Sequence, residues 1–188
     1  MKVIETALPG VLLVEPQVFG DARGYFYETY RWQRYADAGI AVCFVQDNVS
    51  YSERGVLRGL HLQNPEAQGK LVHVLEGAVF DVAVDVRIGS PTFGRWTAAV
   101  LSGDNKHQLY IPEGFAHGFC VTGRSALVAY KCTAPYAAGN EIAVAWNDPD
   151  VAIAWPIDRP ALSAKDGAAP RLRDIDPVRL PRYVPDRR

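Results

Sequence analysis

The sequence predicts an all-β fold of the sandwich or barrel class with a few short helices, and three observations carry that expectation. Runs of β-branched and aromatic residues of strand length recur along the chain, punctuated by Gly, Pro, Asn or Asp. Residues 79–86 alternate, with Val79, Asp81, Ala83 and Asp85 on one side and Phe80, Val82, Val84 and Val86 on the other. Helical spacing of apolar residues is confined to one stretch before Gly39 and a weak trace near residue 150. Many short strands at close intervals belong to sandwiches and barrels, the jelly roll among them.

In chain order, Val3-Ile4 and residues 11–14 are apolar runs separated by the turn dipeptide Pro9-Gly10. Residues 19–23 supply a turn before Tyr25-Phe26-Tyr27, so the chain opens on a hairpin or meander. Between Glu28 and Ala38, Trp32, Tyr35 and Ala36 fall at helical intervals and Gly39 offers a stop, which predicts one short helix. Strands are expected at 42–45, 71–75, 79–86, 97–101, 108–111, 118–121 and 126–130. The alternation in 79–86 assigns one face to the core and leaves the other polar or functional. Asn147-Asp148-Pro149 reads as a turn opening a single helical turn. Residues 1–188 are expected to form one domain. Its last part, 171–188, is a basic tail whose prolines favour wrapping or fraying over a binding helix.

An apolar fraction of 48% with 11% aromatics matches a packed globular protein. A formal net charge of −1 and a pI near 6.4 give no global field to hold nucleic acid or an anionic membrane, so neither is an expected partner. Cys43, Cys120 and Cys132 are odd in number and form no C-x-x-C pair; they read as small core residues with reduced thiols, as in a cytoplasm. The apolar run 7–14 is short and broken by Pro9-Gly10, and Glu5 precedes it, so neither export nor anchoring is expected and the chain reads as cytoplasmic.

His61 closes the run Gly55-Val56-Leu57-Arg58-Gly59-Leu60-His61-Leu62-Gln63, which joins a titratable imidazole to a fixed cation and two glycines. A regular strand puts Leu57, Gly59 and His61 on one face and Arg58 and Leu60 on the other, so strand geometry alone does not bring Arg58 beside His61. Pro112-Glu113-Gly114-Phe115-Ala116-His117 resembles the second motif of cupins, which are double-stranded β-helix jelly rolls. Many cupins hold a metal through an H-x-H pair; here Gln63 stands where the second histidine would be, leaving His61, His73 and His117 as a candidate three-histidine set. The alternative is acid/base chemistry. Tyr130, at the end of an apolar run, is a packing residue or a proton donor, and Asp166 is an exposed turn residue or a carboxylate that orients an imidazole. Arg23, Arg58 and Lys70, with Gln46-Asp47-Asn48 between them, suit a phosphate or diphosphate, and Phe19, Tyr25, Phe26 and Tyr27 suit stacking on a base or sugar, or the core.

Taken together, the motifs resemble one family. They are Asp21-Ala22-Arg23-Gly24-Tyr25-Phe26-Tyr27-Glu28, Gln46-Asp47-Asn48-Val49-Ser50, the Gly55 to Gln63 run, Lys70-Leu71-Val72, the alternating segment closed by Arg87, the segment 111–119, Tyr130-Lys131, Trp146-Asn147-Asp148-Pro149, Trp155-Pro156 and Leu162-Ser163-Ala164-Lys165-Asp166. In this collinear order, from about Ile4 to about Asp176, the chain resembles the dTDP-4-dehydrorhamnose 3,5-epimerases. Thr122-Gly123-Arg124-Ser125 and Ile142-Ala143 depart from the family's usual loops without touching an expected catalytic position.

The resemblance implies a cupin-like jelly roll that works without metal or cofactor, as a homodimer, on dTDP-4-dehydro-6-deoxy-glucose in dTDP-rhamnose biosynthesis. It makes His61 the base, Asp166 its dyad partner, Tyr130 the opposing acid and Lys70 the group that stabilises negative charge. It makes Arg23, Phe26, Glu28, Gln46, Asn48, Arg58, Lys70, His117, Glu141 and Lys165 contacts to the nucleotide sugar. Four other readings stay open: an enzyme inverting C3 or C5 alone, a nucleotide-sugar ketoisomerase, a metal-dependent cupin oxygenase using the three histidines, and a non-catalytic nucleotide-sugar binder.

Overall fold

A computed structural model of the protein describes residues 1–185. Eleven strands and two short helices follow in order: β1 (Lys2–Glu5), β2 (Leu12–Glu15), β3 (Val18–Asp21), β4 (Gly24–Tyr27), α1 (Trp32–Asp37), β5 (Gln46–Glu53), β6 (Leu57–Gln63), β7 (Lys70–Asp85), β8 (Trp96–Ser102), β9 (Gln108–Ile111), β10 (Phe115–Cys132), β11 (Glu141–Ala143) and α2 (Ala164–Gly167). All strand pairings are antiparallel, and β3 and β4 form a separate hairpin.

The architecture turns on β7 and β10, which pair along nearly their whole length and serve both layers of a jelly roll. The first half of β7 carries β9, and through it β2 and β1, while the second half of β10 carries β5. The second half of β7 carries β8, and the first half of β10 carries β6 and then β11. Each long strand turns a corner between its halves, where the register shifts between Val121 and Ala126. Gly77 makes the corner possible: it has φ +80°, and a Cβ there would overlap the Ser125 carbonyl oxygen. The pairs of runs expected as separate strands, 71–75 with 79–86 and 118–121 with 126–130, are therefore single bent strands. Their turn-like residues mark bends within paired backbone.

Between the layers, Val72, Val74, Val79, Ala83, Leu109, Phe119, Val121 and Val128 form the main core. Even positions of β7 point inward before Gly77 and odd positions after it, which is the phase change a corner imposes. Val82, Val84 and Val86 face outward yet are fully buried, because Val151, Leu172, Ile175 and Leu180 cover them. The expectation of one polar face on 79–86 is corrected accordingly: both faces are buried, and the acidic residues have partners. Asp81 meets His117, and Asp85 accepts hydrogen bonds from Arg87, Ser90 and Thr92.

Other expectations need correction. Residues 42–45 form no strand; Val42 and Phe44 pack against the cluster under α1, while Cys43 and Val45 face solvent. Cys43 is thus exposed, and only Cys120 and Cys132 are core thiols. Residues 148–154 form turns and no helix, because Asp148 accepts hydrogen bonds from the Asp150 and Leu172 backbones and pins the segment to the C-terminal wrap. In the segment 19–23 the turn is confined to Ala22-Arg23, since Val18–Asp21 pairs with Gly24–Tyr27. As far as it is described, the tail packs back on the sheet, with the Tyr183 N–H donating to the Ile88 carbonyl; Arg187 and Arg188 lie outside the described residues.

Candidate active site

One end of the space between the layers is a cleft of about 450 Å³, lined by Arg58, His61, Lys70, His117, Tyr130, Lys165 and Asp166 among others. It adjoins a smaller cavity of about 220 Å³ that shares His61, Lys70 and Tyr130 and adds Gln46, Asn48, Tyr136 and Glu141. The size suits a small-molecule ligand, and the polar groups converge.

The bulged pairing of β6 with β10 explains how Arg58 and His61 come to share this cleft. His61 stands opposite His117 and Arg58 opposite Phe119, so three residues of β6 span two of β10. The extra residue reverses the alternation and turns both side chains to the same face. Gly59 sits in the bulge with φ +115°, and a Cβ there would lie 2.6 Å from the Gly118 Cα, so a side chain is excluded. Ser52 Oγ accepts from Arg58 Nε at 2.9 Å and fixes the guanidinium against the cleft wall.

His61 meets Asp166 at 2.6 Å, Nε2 to Oδ1. A carboxylate accepts, so Nε2 carries the proton and Nδ1 presents a lone pair. Asp166 lies on α2, capped by Ser163, whose Oγ accepts the Asp166 N–H at 3.1 Å. The reading of Asp166 as an exposed turn residue is corrected: it is 5% exposed and orients an imidazole. Burial pulls the His61 pKa down, opposed by Asp166 and Glu141, with a net value below the ordinary 6.5 that leaves the ring neutral and basic at neutral pH. His117 is held differently. Its Nε2 lies 3.0 Å from both Asp81 oxygens in a buried pair.

The other layer contributes Tyr130 and Lys70. Tyr130 stands opposite Val72 of β7 and Asn48 of β5, and Lys70 opposite Cys132, which puts Lys70, Tyr130, Asn48 and Gln46 on one inward face. Burial raises the Tyr130 pKa above 10, so the phenol keeps its proton at neutral pH. Burial also lowers the Lys70 pKa, opposed by Cys132, Asp81 and Glu141. Glu141 Oε2 accepts the Tyr136 hydroxyl at 2.8 Å and pairs with Lys165 Nζ, while Oε1 lies 3.8 Å from His61 Nδ1.

Three expected contacts do not reach the cleft of their own chain. Arg23 pairs with Asp21 at 2.6 Å on the exposed β3–β4 hairpin, Phe26 is 70% exposed, and Glu28 pairs with Arg31 and Arg34. Nor do the three histidines assemble: His73 lies out of phase with Lys70 and Val72 and faces away from the cleft. Among the described residues no group of three His, Cys, Asp or Glu side chains is placed to hold a metal. Gln63 instead accepts from the Ala137 N–H at 2.8 Å and donates to the Pro135 carbonyl at 3.1 Å, fastening the loop that carries Tyr136.

Sequence reading missed Ser50, Ser52 and Ser163. The first two carry a signal: on β5 the polar residues Gln46, Asn48, Ser50 and Ser52 alternate with exposed Val49 and Tyr51, a strand whose inward face is polar. Ser50 Oγ lines this cleft side and, among the described residues, is the buried side-chain polar atom without a hydrogen-bond partner.

Comparison with known proteins places this geometry. A family model described as dTDP-4-dehydrorhamnose 3,5-epimerase matches residues 5–174. The dTDP-4-dehydrorhamnose 3,5-epimerase of Salmonella typhimurium is 54% identical over 175 residues, 92% of this chain and 96% of that protein. The protein of the same name from Neisseria gonorrhoeae is 56% identical over 88% of this chain, which spans about half (51%) of its length. The crystal structure of the dTDP-6-deoxy-D-glucose-3,5-epimerase of Legionella pneumophila in complex with dTDP-4-keto-L-rhamnose superposes with a TM-score of 0.96 at 51% identity, covering 98% of this chain and 99% of that one.

Proposed function

The chain belongs to the dTDP-4-dehydrorhamnose 3,5-epimerase family, and from that premise we propose how its cleft converts dTDP-4-dehydro-6-deoxy-D-glucose to dTDP-4-dehydro-L-rhamnose, an isomerisation in rhamnose biosynthesis. The C4 ketone acidifies the hydrogens on C3 and C5, because the electron pair of either broken C–H bond moves onto the C4 oxygen. His61 Nδ1 takes the proton and becomes imidazolium beside Asp166. The Tyr130 hydroxyl then gives a proton to the same carbon from the opposite face, the enolate pair returns to form the new C–H bond, and the centre is inverted. The resulting phenolate and imidazolium reset through solvent. The Lys70 ammonium stabilises charge on the C4 oxygen, the interaction that lowers the barrier most in such preorganised sites. Arg58, His117 and Lys165 take the diphosphate, and Gln46, Asn48 and Glu141 line the sugar side. Binding energy from the nucleotide holds the sugar between base and acid. The substrate supplies its own electron sink, so these residues suffice without a cofactor.

One observation carries this reading: the base and the acid belong to different layers. His61 is on β6, paired to the first half of β10, and Tyr130 is on the second half, beyond the corner. Groups on the two walls of one cleft address the two faces of a ring bound between them. Incubation with substrate in deuterium oxide, read by NMR, tests it. Deuterium at both C3 and C5 is expected; label at one carbon alone gives a single-centre epimerase, and none at either refutes the reading.

The protein acts as a homodimer in the same proposal, with the β3–β4 hairpin of one copy reaching the cleft of the other. Support comes from Phe19, Tyr25 and Phe26, each more than half exposed, and from Arg23 and Glu28 matching family contacts while lying outside their own cleft. Residues 1–188 are read as one domain, supported by a main sheet that runs from β1 to β11 and a wrapped tail. Free thiols at Cys43, Cys120 and Cys132 support a cytoplasmic location.

A further inference from the structure

Glu141 reaches the site as an expected sugar contact, but its surroundings give it another task. On the edge strand β11, Glu141 stands opposite Gln63 and Ala143 opposite His61, so the carboxylate is a diagonal neighbour of the imidazole on one face. Both its oxygens are engaged: Oε2 with the Tyr136 hydroxyl and Lys165 Nζ, Oε1 toward His61 Nδ1 at 3.8 Å. Lys165 immediately precedes Asp166, so α2 offers a cation to Glu141 and an anion to His61. The four groups close a ring, His61 to Asp166, Asp166 to Lys165 along the chain, Lys165 to Glu141, and Glu141 back to His61.

We propose that Glu141 is a positioning residue for His61: it holds the imidazole from the side opposite Asp166 and strengthens it as a base, with Lys165 setting how much of that charge His61 feels. The inference rests on His61 being the base. Once His61 takes a proton the ring alternates in sign, positive at His61 and Lys165 and negative at Asp166 and Glu141. The imidazolium is then stabilised at both nitrogens. Neutral His61 gains less from the same carboxylates, so Glu141 favours the state formed as the C–H bond breaks. The other groups facing His61 are Lys70 on β7, which opposes its protonation, Tyr130 on β10, and His117, whose Nε2 is hydrogen-bonded to Asp81. Removing the Glu141 charge leaves Asp166 as the carboxylate that favours protonated His61 against Lys70.

The sign follows directly. Glu141→Gln lowers the pKa of His61, so the acid limb of kcat/KM moves to lower pH by about half a unit to one unit, after screening by Lys165 and solvent. Because a weaker base abstracts the proton more slowly, kcat falls by roughly two- to fivefold at the plateau. Lys165→Met moves the limb the other way, since His61 then feels the whole carboxylate. Glu141→Asp, which keeps the charge, restores part of the wild-type profile. NMR titration of the His61 ring in the free protein reads the same shifts without substrate, so it separates failure of this inference from failure of the epimerase reading, which deuterium exchange tests. A Glu141→Gln protein whose ring titration and acid limb stay at wild-type positions, with only KM raised, overturns the proposal and leaves Glu141 a sugar contact. If Glu141→Gln does not fold, an unmoved or downward limb in Lys165→Met overturns it equally.

Discussion

The cleft and the β3–β4 hairpin both carry residues of the family pattern, yet the chain treats them in opposite ways. In the cleft, His61, Asp166, His117 and Glu141 are partly or wholly buried and tied to one another or to neighbouring strands. On the hairpin, Arg23 and Phe26 are exposed, and among the described residues Arg23 pairs locally, with Asp21. In the proposed reaction, the groups that perform the chemistry are preorganised by their own chain, because a misplaced base loses most of its rate. In the proposed dimer, groups that supply binding energy wait on the surface, where a second copy and a ligand would meet them. An exposed pair such as Arg23 with Asp21 contributes little to stability and is readily exchanged for a phosphate.

That contrast is broken first at its centre. His61→Asn is expected to lower kcat on the order of 10³- to 10⁴-fold while thermal unfolding stays near wild type, since the base is lost but the fold is not. Asp166→Asn should cost about 10²-fold, because the neutral amide no longer stabilises the imidazolium and its NH2 can donate to Nε2, holding the ring in the other tautomer. Gly59→Ala tests the bulge that brings Arg58 and His61 together, and a loss of about 2–3 kcal/mol in denaturant unfolding is expected from a Cβ placed against β10 at positive φ. On the hairpin, Arg23→Ala with Phe26→Ala should raise KM about tenfold and leave kcat near wild type. At substrate well below that raised KM, mixing the double variant with His61→Asn should give more turnover than the two show separately, whereas a merely additive mixture detaches the hairpin from the partner's cleft. The smallest effect is in pH. With the pKa of His61 pulled below 6.5 by burial, kcat/KM should hold its plateau as pH falls past 6.5 and drop only as His61 protonates.

The same contrast governs what the sequence disclosed. His61, Tyr130, Lys70 and Arg58, which line one cleft, stand in the sequence within motifs that resemble the family's. The strand list was nearly complete for β7 to β10, where apolar runs coincide with the core. It missed β5, whose alternation is inverted by a polar inward face, and β3, whose residues are exposed on every side. Corners hid the continuity of β7 and β10, because Gly77 and residues 122–125 carry the composition of turns. Asp166 looked like a loop residue because a four-residue helix leaves no periodic trace, and its burial is decided by His61 across 105 residues of sequence. The place of Glu141 beside His61 depends on strand register, which no local pattern announces.

The central claim is that His61 and Tyr130 work from opposite walls of one cleft. It is tested most directly by Tyr130→Phe in deuterium oxide, with exchange and inversion at C5 followed separately by NMR. His61 should still remove the proton and return deuterium to the same face, so label appears in unreacted sugar while inversion falls by at least tenfold more than exchange. Equal loss of exchange and inversion would contradict the assignment of Tyr130 as the opposing acid.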